Sequence, residues 1–156
     1  MGDLPDSILS ARQICSSPVV TVASTEYFKQ HGYPNHPSEL SQHECLIYSG
    51  RSKPLSWHFI EDGRDFNVSV KGRFITNDAA AYRTALISGL GMGVVPRWLV
   101  GDLIQAGTLQ TVCKNYNAAP MPIHAVFPPG KHIAEKVRCF TDFLTDKMKI
   151  CESINR

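Results

Sequence analysis

The sequence predicts an α/β fold, for three reasons. Segments with the apolar patterns of strands alternate along the chain with segments in which apolar residues recur at helical spacing. Residues 74–99 combine a strand, a helix and a second strand in immediate succession, which is the unit from which such folds are built. The chain has 156 residues, 43% hydrophobic and 19% charged, so it is long and apolar enough to form a substantial core.

The part of the chain before this unit predicts short strands and two short helices. In chain order these are extended segments at 10–14 and 19–23, helices at 24–32 and 37–44, a buried strand at 45–48, and strands at 57–60 and 66–70. The tripeptide at 16–18, which ends in a proline, separates the first two segments. Ser24 or Thr25 can cap the first helix, and Asp62-Gly63 is a strong hairpin signal between the last two strands.

The strand–helix–strand unit contains clear helix boundaries. Asn77 or Asp78 can cap its helix, and Gly89 and Gly91 can supply a left-handed stop. The apolar run at 92–96 then predicts a buried strand that returns parallel to the first one. Beyond this unit the sequence predicts a helix at 97–106, a strand at 109–112, a loop up to 120, a strand at 123–127 and a long amphipathic helix at 133–150.

A more specific signal comes from six passages, at residues 20–32, 37–46, 57–59, 70–74, 76–78 and 89–96. Together they resemble, in order and spacing, the effector-binding domain of LysR-type transcriptional regulators. The resemblance implies a periplasmic-binding-protein-like fold of type 2, with one complete subdomain and the C-terminal part of the other. It assigns residues 1–23 to a remnant of the first subdomain and a crossover strand, residues 24–119 to the second effector-binding subdomain, and residues 120–156 to the return crossover strand and final helix of the first.

The same resemblance implies where a small-molecule effector is bound. Carried over by position, the candidate contacts are Ser49, Gly50, Asn77, Asp78, Ala79, Val95 and Pro96. From the residues alone, Asn77 and Asp78 have a second interpretation, because helix caps of these types are common. A carboxylate at Asp78 would repel an anionic effector directly facing it, unless Arg51, Lys53 or Arg73 offsets the charge.

The last predicted helix carries an apolar face that needs cover. Its large apolar residues recur at steps of three and four, at Ile133, Val137, Phe140, Phe143 and Leu144. Relative to the family pattern, the N-terminal winged helix-turn-helix and the first half of the first subdomain are missing. We therefore predict a homo-oligomer, with a dimer favoured over packing within one copy. DNA contact is expected only through a winged-helix domain absent from this chain.

The charge and composition of the chain limit the kinds of partner that it is expected to bind. The formal net charge is only +2, with no basic stripe that would follow a phosphate backbone, so direct DNA binding by this chain is not expected. No apolar run approaches the length of a membrane-spanning helix, and the first residues lack the basic and apolar segments of a leader. We therefore expect no membrane partner and a cytoplasmic location. The five cysteines include no C-x-x-C pair, which favours reduced thiols.

Signals for catalysis and for metal binding are weak. No G-x-S-x-G, H-E-x-x-H or P-loop motif occurs, so we predict no enzyme, no catalytic residue and no cofactor. The glycines at 89–93 follow a helix and precede a strand, which favours a helix end over a nucleotide-binding loop. His31, His36 and His43 do not share a helical face, which favours surface turns over a metal site.

Two other functions stay open from the sequence. A stand-alone small-molecule binding module of the periplasmic-binding-protein type would share the two-lobed α/β plan, although the lack of a signal peptide counts against it. A small enzyme would need a nucleophile such as Cys45, paired in space with His43 or His58. Buried cysteines usually only fill space, which counts against the enzyme.

Overall fold

The computed structural model describes residues 10–49, 55–116, 118–127 and 134–154. In chain order its elements are β1 (Ser10–Ser24), α1 (Thr25–His31), a 3-10 helix (Pro37–Gln42), β2 (Ile47–Tyr48), β3 (Ser56–Glu61), β4 (Arg64–Ser69), β5 (Ile75–Thr76), α2 (Ala79–Ile87), β6 (Gly93–Pro96), α3 (Arg97–Gln105), β7 (Leu109–Val112), β8 (Ala118–Phe127) and α4 (Glu135–Ile154). The chain divides into a larger unit of residues 18–119 and a smaller unit of residues 1–17 and 120–156. Helices and strands alternate, as the sequence predicted.

The larger unit is built on two sets of strands. β1 pairs antiparallel with β6 on one side and with β7 on the other. In the second set, Ile47 of β2 pairs in parallel with Ile75 of β5, and Cys45 pairs in parallel with Met92 just before β6. Residues 45–48 therefore lie between β5 and the chain leading into β6, and all three segments run in one direction. The prediction that the strand at 92–96 runs parallel to the strand before α2 is confirmed, and the segment 45–48 lies between these two strands.

Two apolar clusters form the core of the larger unit. The first joins α1, the 3-10 helix and the β3–β4 hairpin, and its Phe28 and Phe59 are fully buried. The second joins α2, α3 and β6, and its Leu86 and Val100 are fully buried. Burying a large apolar side chain stabilises a fold by about 1.5–3 kcal/mol. These clusters therefore fix the helices against the strands whose ends are described below.

A close approach holds α2 against the parallel strands. The Tyr82 hydroxyl donates a hydrogen bond of 2.7 Å to the carbonyl of Leu46. A Cβ atom added to Gly93 would lie 2.6 Å from the same hydroxyl oxygen and 2.9 Å from the ring carbon Cε1. Only glycine leaves room for the tyrosine at this point of β6.

The predicted caps and turns of the larger unit are confirmed. Ser24 caps α1 by accepting a hydrogen bond of 3.1 Å from the backbone N–H of Tyr27, and Gly32 ends the helix with a φ of 81°. Asp62 and Gly63, with φ of 48° and 75°, form the two-residue turn of the β3–β4 hairpin. These features depend on neighbouring residues in the chain, so the local pattern was sufficient to predict them.

One predicted feature in the first part of the chain was wrong, and another forms in a tighter variant. The interruption at 16–18 does not occur, because β1 runs through it without a break. Pro18 fits there because its fixed φ and the preference of the preceding residue are both compatible with an extended chain. The helix predicted at 37–44 is a 3-10 helix, with Pro37 at its first position and His36 as the N-cap residue.

The smaller unit contains α4 and parts of β1 and β8, two strands that pair with each other. β8 begins at Ala118, earlier than the strand predicted at 123–127, because pairing with a distant strand sets its length. α4 spans Glu135–Ile154 and is displaced toward the C-terminus relative to the prediction. An exposed ion pair of 2.5 Å joins Arg12 of β1 to Asp142 of α4.

Helix α4 exposes two of the apolar residues that were predicted to need cover. Phe140 and Phe143 are 61% and 56% exposed, whereas Thr141 and Thr145 are buried. Each of these threonine hydroxyls donates to the carbonyl four residues earlier, so their burial leaves neither donor unpaired. The other predicted members of the face are Val137 and Leu144, which are half-buried, and Ile133, which lies outside the described residues.

Candidate functional site

The carboxyl ends of β2 and β5 lie side by side in the larger unit. Tyr48 of β2 pairs with Thr76 of β5, and the backbone N–H of Ser49 donates to the Thr76 carbonyl at 2.9 Å. β6 runs in the same direction and is followed directly by α3. In open α/β sheets, ligands bind outside the carboxyl ends of the strands, where helices begin with unpaired backbone N–H groups. We call Ser49, residues 76–79 and residues 95–97 the carboxyl edge.

The structure distinguishes the two candidate caps of α2. An oxygen of the Asp78 carboxylate accepts a hydrogen bond of 2.7 Å from the backbone N–H of Ala81, so Asp78 is the cap. The backbone N–H of Asp78 in turn donates to the Thr76 hydroxyl at 3.1 Å. Asn77 is not the cap, and its carbonyl accepts a hydrogen bond of 2.8 Å from the Tyr48 hydroxyl. The exposed Asn77 side chain is therefore not used to hold the helix.

The other candidate contacts fall into two groups. Ser49 is exposed at the end of β2, next to Asn77 and Asp78, and Ala79 is the half-buried first residue of α2. Val95 and Pro96 lie at the end of β6, where Val95 is buried in the core and can offer only an apolar wall. Gly50 lies outside the described residues.

Arg97 is a candidate site residue that the sequence prediction missed. It follows β6 directly and is the first residue of α3, whose N-cap, Pro96, makes no side-chain cap hydrogen bond. Its Nε atom is buried and has no hydrogen-bond partner within the part of the chain that the structure describes. An uncapped helix start beside a guanidinium group favours negative charge. The signal in the sequence was an arginine placed directly at a strand–helix junction.

Of the three cations that the sequence suggested as offsets to Asp78, Arg73 lies in the described part of the chain and faces another carboxylate. Arg73 is almost fully exposed, and its guanidinium lies 3.6 Å from the carboxylate of Glu44. Arg51 and Lys53 lie outside the described residues. Arg97 is therefore the cation that the described part of the carboxyl edge itself supplies.

A bidentate ion pair joins the two helices that begin at the carboxyl edge. Arg83 of α2 donates to both carboxylate oxygens of Asp102 on α3, at 2.8 and 2.5 Å, and to the carbonyl of Leu99. The hydrogen bonds from Arg83 lower the pKa of Asp102 to about 2. Because both oxygens are engaged, the pair fixes the orientation of the helices as well as their distance.

Burial makes Cys45 and Cys113 unreactive. The Cys45 thiol donates to the main-chain oxygens of Leu40 and His43, and burial raises its pKa to about 12. Burial likewise raises the pKa of Cys113 to about 11. Such thiols stay protonated near neutral pH and are poor nucleophiles. His58 is engaged elsewhere, 3.1 Å from Asp65 on the hairpin.

Three other features bear on the sequence hypotheses. Gly89 has a φ of 69° and follows the end of α2, which confirms the helix-end interpretation of the glycine-rich stretch. Among the described residues, no group of three or more histidine, cysteine or acidic side chains is placed to hold a metal ion. Within the same residues, none of the helices combines the length and apolar character needed to cross a bilayer.

Comparison with known proteins identifies the family of the chain. The family model described as LysR substrate binding domain matches residues 1–149. The HTH-type transcriptional activator AaeR of Escherichia coli K12 is 32% identical over 146 residues, which cover 94% of this chain and 47% of AaeR. The chain thus spans about half the length of the curated relatives it matches.

Solved structures agree with this match. The full-length Vibrio cholerae virulence activator AphB, described as a LysR-type family member, matches with a TM-score of 0.76 and 30% identity over 92% of this chain and 49% of AphB. The regulatory domain of CrgA, a LysR-type transcriptional regulator from Neisseria meningitidis, matches with a TM-score of 0.78 and 27% identity over 94% of this chain and 72% of that domain. The predicted periplasmic-binding-protein-like fold is confirmed.

Proposed function

Because the chain belongs to the LysR substrate binding domain family, we propose that it senses a small-molecule effector for a transcriptional regulator. The observation that carries this proposal is the carboxyl edge, where polar and exposed Ser49 and Asn77 meet beside the start of α2. The relatives named above are regulators and not enzymes. The buried, protonated thiols described above add no support for catalysis.

The charges at the edge suggest how an effector is oriented. The Asp78 carboxylate already fills the start of α2, so a second negative charge is disfavoured there. The start of α3 is uncapped and carries Arg97, so an anionic group is favoured at that end. Ser49 and Asn77 then hydrogen-bond a polar group of the effector, while Val95 and Pro96 contact its apolar part. Gly50 belongs to the same proposal through its position alone.

Effector binding acts by shifting a conformational equilibrium. A ligand changes the populations of two states only through its different affinity for them. In the regulator, this shift is transmitted to DNA through a winged-helix segment, and the protein works in the cytoplasm, where its promoters are. The reading frame upstream of residue 1 tests this part of the proposal. An in-frame winged-helix segment is expected, whereas a stand-alone binding module predicts none.

A thermal-shift screen tests effector binding. The panel contains small organic acids together with their neutral amides. A ligand at a hundred times its Kd stabilises the native state by about 2.7 kcal/mol, which raises the Tm of a chain of this size by about 5–11 °C. We expect the acids and not the amides to stabilise the protein. If no member of the panel raises the Tm, effector binding is contradicted. If acids and amides raise it equally, the preference for an anionic group is contradicted.

Variants at the edge locate the site. Ser49→Ala and Asn77→Ala are expected to weaken binding of a confirmed ligand by about tenfold each, which corresponds to one lost hydrogen bond of about 1.4 kcal/mol. Asn67→Ala is the matched control, because Asn67 is an exposed asparagine on β4. Unchanged affinity in both edge variants would place the ligand elsewhere.

We further propose that the regulator is a homo-oligomer that uses α4. Phe140 and Phe143 are more than half exposed on one face of this helix. Leaving large apolar side chains in water forfeits about 1.5–3 kcal/mol each, a large share of the 5–15 kcal/mol that stabilises a typical domain. Contact with a second copy would recover part of this free energy.

A further inference from the structure

The hydroxyl of Tyr27 is a junction between α1 and the chain that leads to the carboxyl edge. Tyr27 is 3% exposed, and its oxygen accepts a hydrogen bond of 3.1 Å from the backbone N–H of Glu44. The Nδ1 atom of His43 lies 3.3 Å from the same oxygen. The imidazole of His31 stacks on the Tyr27 ring, with centroids 4.3 Å apart and planes inclined by 13°. Two imidazoles therefore flank one buried phenol.

The hydrogen-bond count at this junction favours neutral His43. The tyrosine oxygen already receives the Glu44 N–H, and its own hydrogen can be donated to Nδ1 only if that nitrogen carries no proton. When His43 is protonated, Nδ1 becomes a second donor toward the same oxygen. The hydroxyl hydrogen of Tyr27 then loses its acceptor in a buried place, which costs free energy.

The surroundings of His43 both lower and raise the pKa of its imidazole. Burial, the largest influence, lowers the pKa of His43, and repulsion from His31 on α1 lowers it further. Glu39 on the 3-10 helix raises it. Glu44, the next residue in the chain, directs its carboxylate to the backbone N–H of Arg73 at 2.7 Å. The effects that disfavour the charged imidazole prevail.

Glu44 connects this junction to the strands. Its carbonyl accepts a hydrogen bond of 2.9 Å from the backbone N–H of Met92, and the Met92 carbonyl accepts one of 2.8 Å from Leu46. The contact between Tyr27 and Glu44 therefore fastens α1 to the beginning of the segment whose other end is Ser49. A change at His43 acts on the start of that segment.

We propose that His43 is a pH-sensitive lock, in which the neutral imidazole holds Tyr27 and α1 against residues 43–48 and protonation loosens that contact. The native protein binds this proton less readily than the unfolded chain does. Stability is therefore fully present above the ordinary titration range of histidine and is lost as the pH falls through that range. The lock makes the larger unit weaker at about pH 5.5 than at about pH 7.5.

Urea unfolding at these two pH values tests the lock, with tryptophan fluorescence as the signal, because Trp57 is buried and becomes exposed on unfolding, whereas Trp98 is already 51% exposed. We expect the midpoint of the unmodified protein to fall on acidification and His43→Gln to lose most of that fall. His58→Gln is the control, because it removes an exposed histidine of the hairpin and should keep the fall. A full fall in His43→Gln would overturn the proposal.

Histidine titration by NMR gives a second test that does not depend on how His43→Gln folds. In the unmodified protein, the pKa of His43 should lie below the ordinary histidine value of 6.5. In His31→Gln, its midpoint should move to higher pH, because one repelling charge is removed. A His43 midpoint at or above the ordinary histidine pKa of 6.5, or one unmoved by His31→Gln, would contradict the lock.

Discussion

Replacing Asp78 with alanine tests the cap that the structure assigns to α2. The substitution removes the carboxylate that accepts the 2.7 Å hydrogen bond from Ala81, and the N–H is left at an exposed helix start. Loss of such a cap costs about 1 kcal/mol, within a range of about 0.5–2 kcal/mol. Loss of a negative charge beside the helix N-terminus adds about 0.3–1 kcal/mol at low salt. We expect a total loss of about 1–2 kcal/mol in the free energy of unfolding.

The matched variants separate these contributions. Asp78→Asn keeps an oxygen acceptor but removes the charge, so it should lose only the smaller, salt-dependent part. Asn77→Ala should change the stability by less than about 0.5 kcal/mol, since its side chain is exposed and is not the cap. The sequence left both residues as candidates for the cap, so a loss of about 1 kcal/mol was expected at whichever of them holds the helix. The structure assigns this loss to Asp78.

Urea denaturation followed by tryptophan fluorescence measures these differences, since Trp57 is buried in the native protein. α2 buries Tyr82 and Leu86 in the core, so a weakened first turn is expected to appear in the cooperative transition and not only as local fraying. Midpoints should shift while the slope stays constant, because the exposed area of the unfolded chain is unchanged. Equal losses in Asn77→Ala and Asp78→Ala would refute the reasoning.

Three further predictions follow from the packing, the charges and the exposed helix. Gly93→Ala should destabilise the protein by about 1–3 kcal/mol in urea denaturation, because the new methyl group meets the Tyr82 hydroxyl, whereas Gly101→Ala, with open space around it on α3, should stabilise it by about 0.4–1 kcal/mol. The Arg83–Asp102 pair lowers the pKa of Asp102, so its contribution to stability is present above the ordinary aspartate pKa of about 3.9 and is lost as the pH falls toward about 2. Asp102→Asn should flatten that part of the stability–pH curve, and an unchanged curve would contradict the role of the pair. Phe140→Lys combined with Leu144→Lys should give a monomer or an insoluble protein, while sedimentation of the unmodified chain as a compact monomer at high micromolar concentration would contradict assembly through α4.

Features set by neighbouring residues were accessible from the sequence. The Ser24 cap, the Asp62-Gly63 turn and the helix end at Gly89 each depend on a few adjacent positions whose backbone preferences are strong. The resemblance to LysR-type regulators could be recognised for a different reason, because it depends on several separate passages that occur in the family's order and spacing. The family match over residues 1–149 confirms it.

Features set by distant contacts were not accessible in the same way. The continuity of β1 through Pro18 and the early start of β8 depend on which strands pair, and pairing partners leave no mark in a local pattern. Asn77 and Asp78 are adjacent residues with similar preferences for the N-cap position. Only the backbone geometry at the start of α2 shows that Asp78 is the cap. Arg97 was missed because only the structure shows that its Nε atom is buried without a partner among the described residues.

The assignment of the cap also decides which residue can report on effector binding. A variant at Asp78 changes helix stability and local charge together, so a loss of affinity there could arise from either cause. Asn77 lies on the same edge and offers its amide without holding the helix. A loss of affinity in Asn77→Ala at unchanged stability would therefore identify a direct contact. If Asn77→Ala binds a confirmed ligand normally, while Arg97→Gln weakens binding, the ligand contacts the α3 end of the edge alone, and the polar contacts proposed beside α2 are wrong.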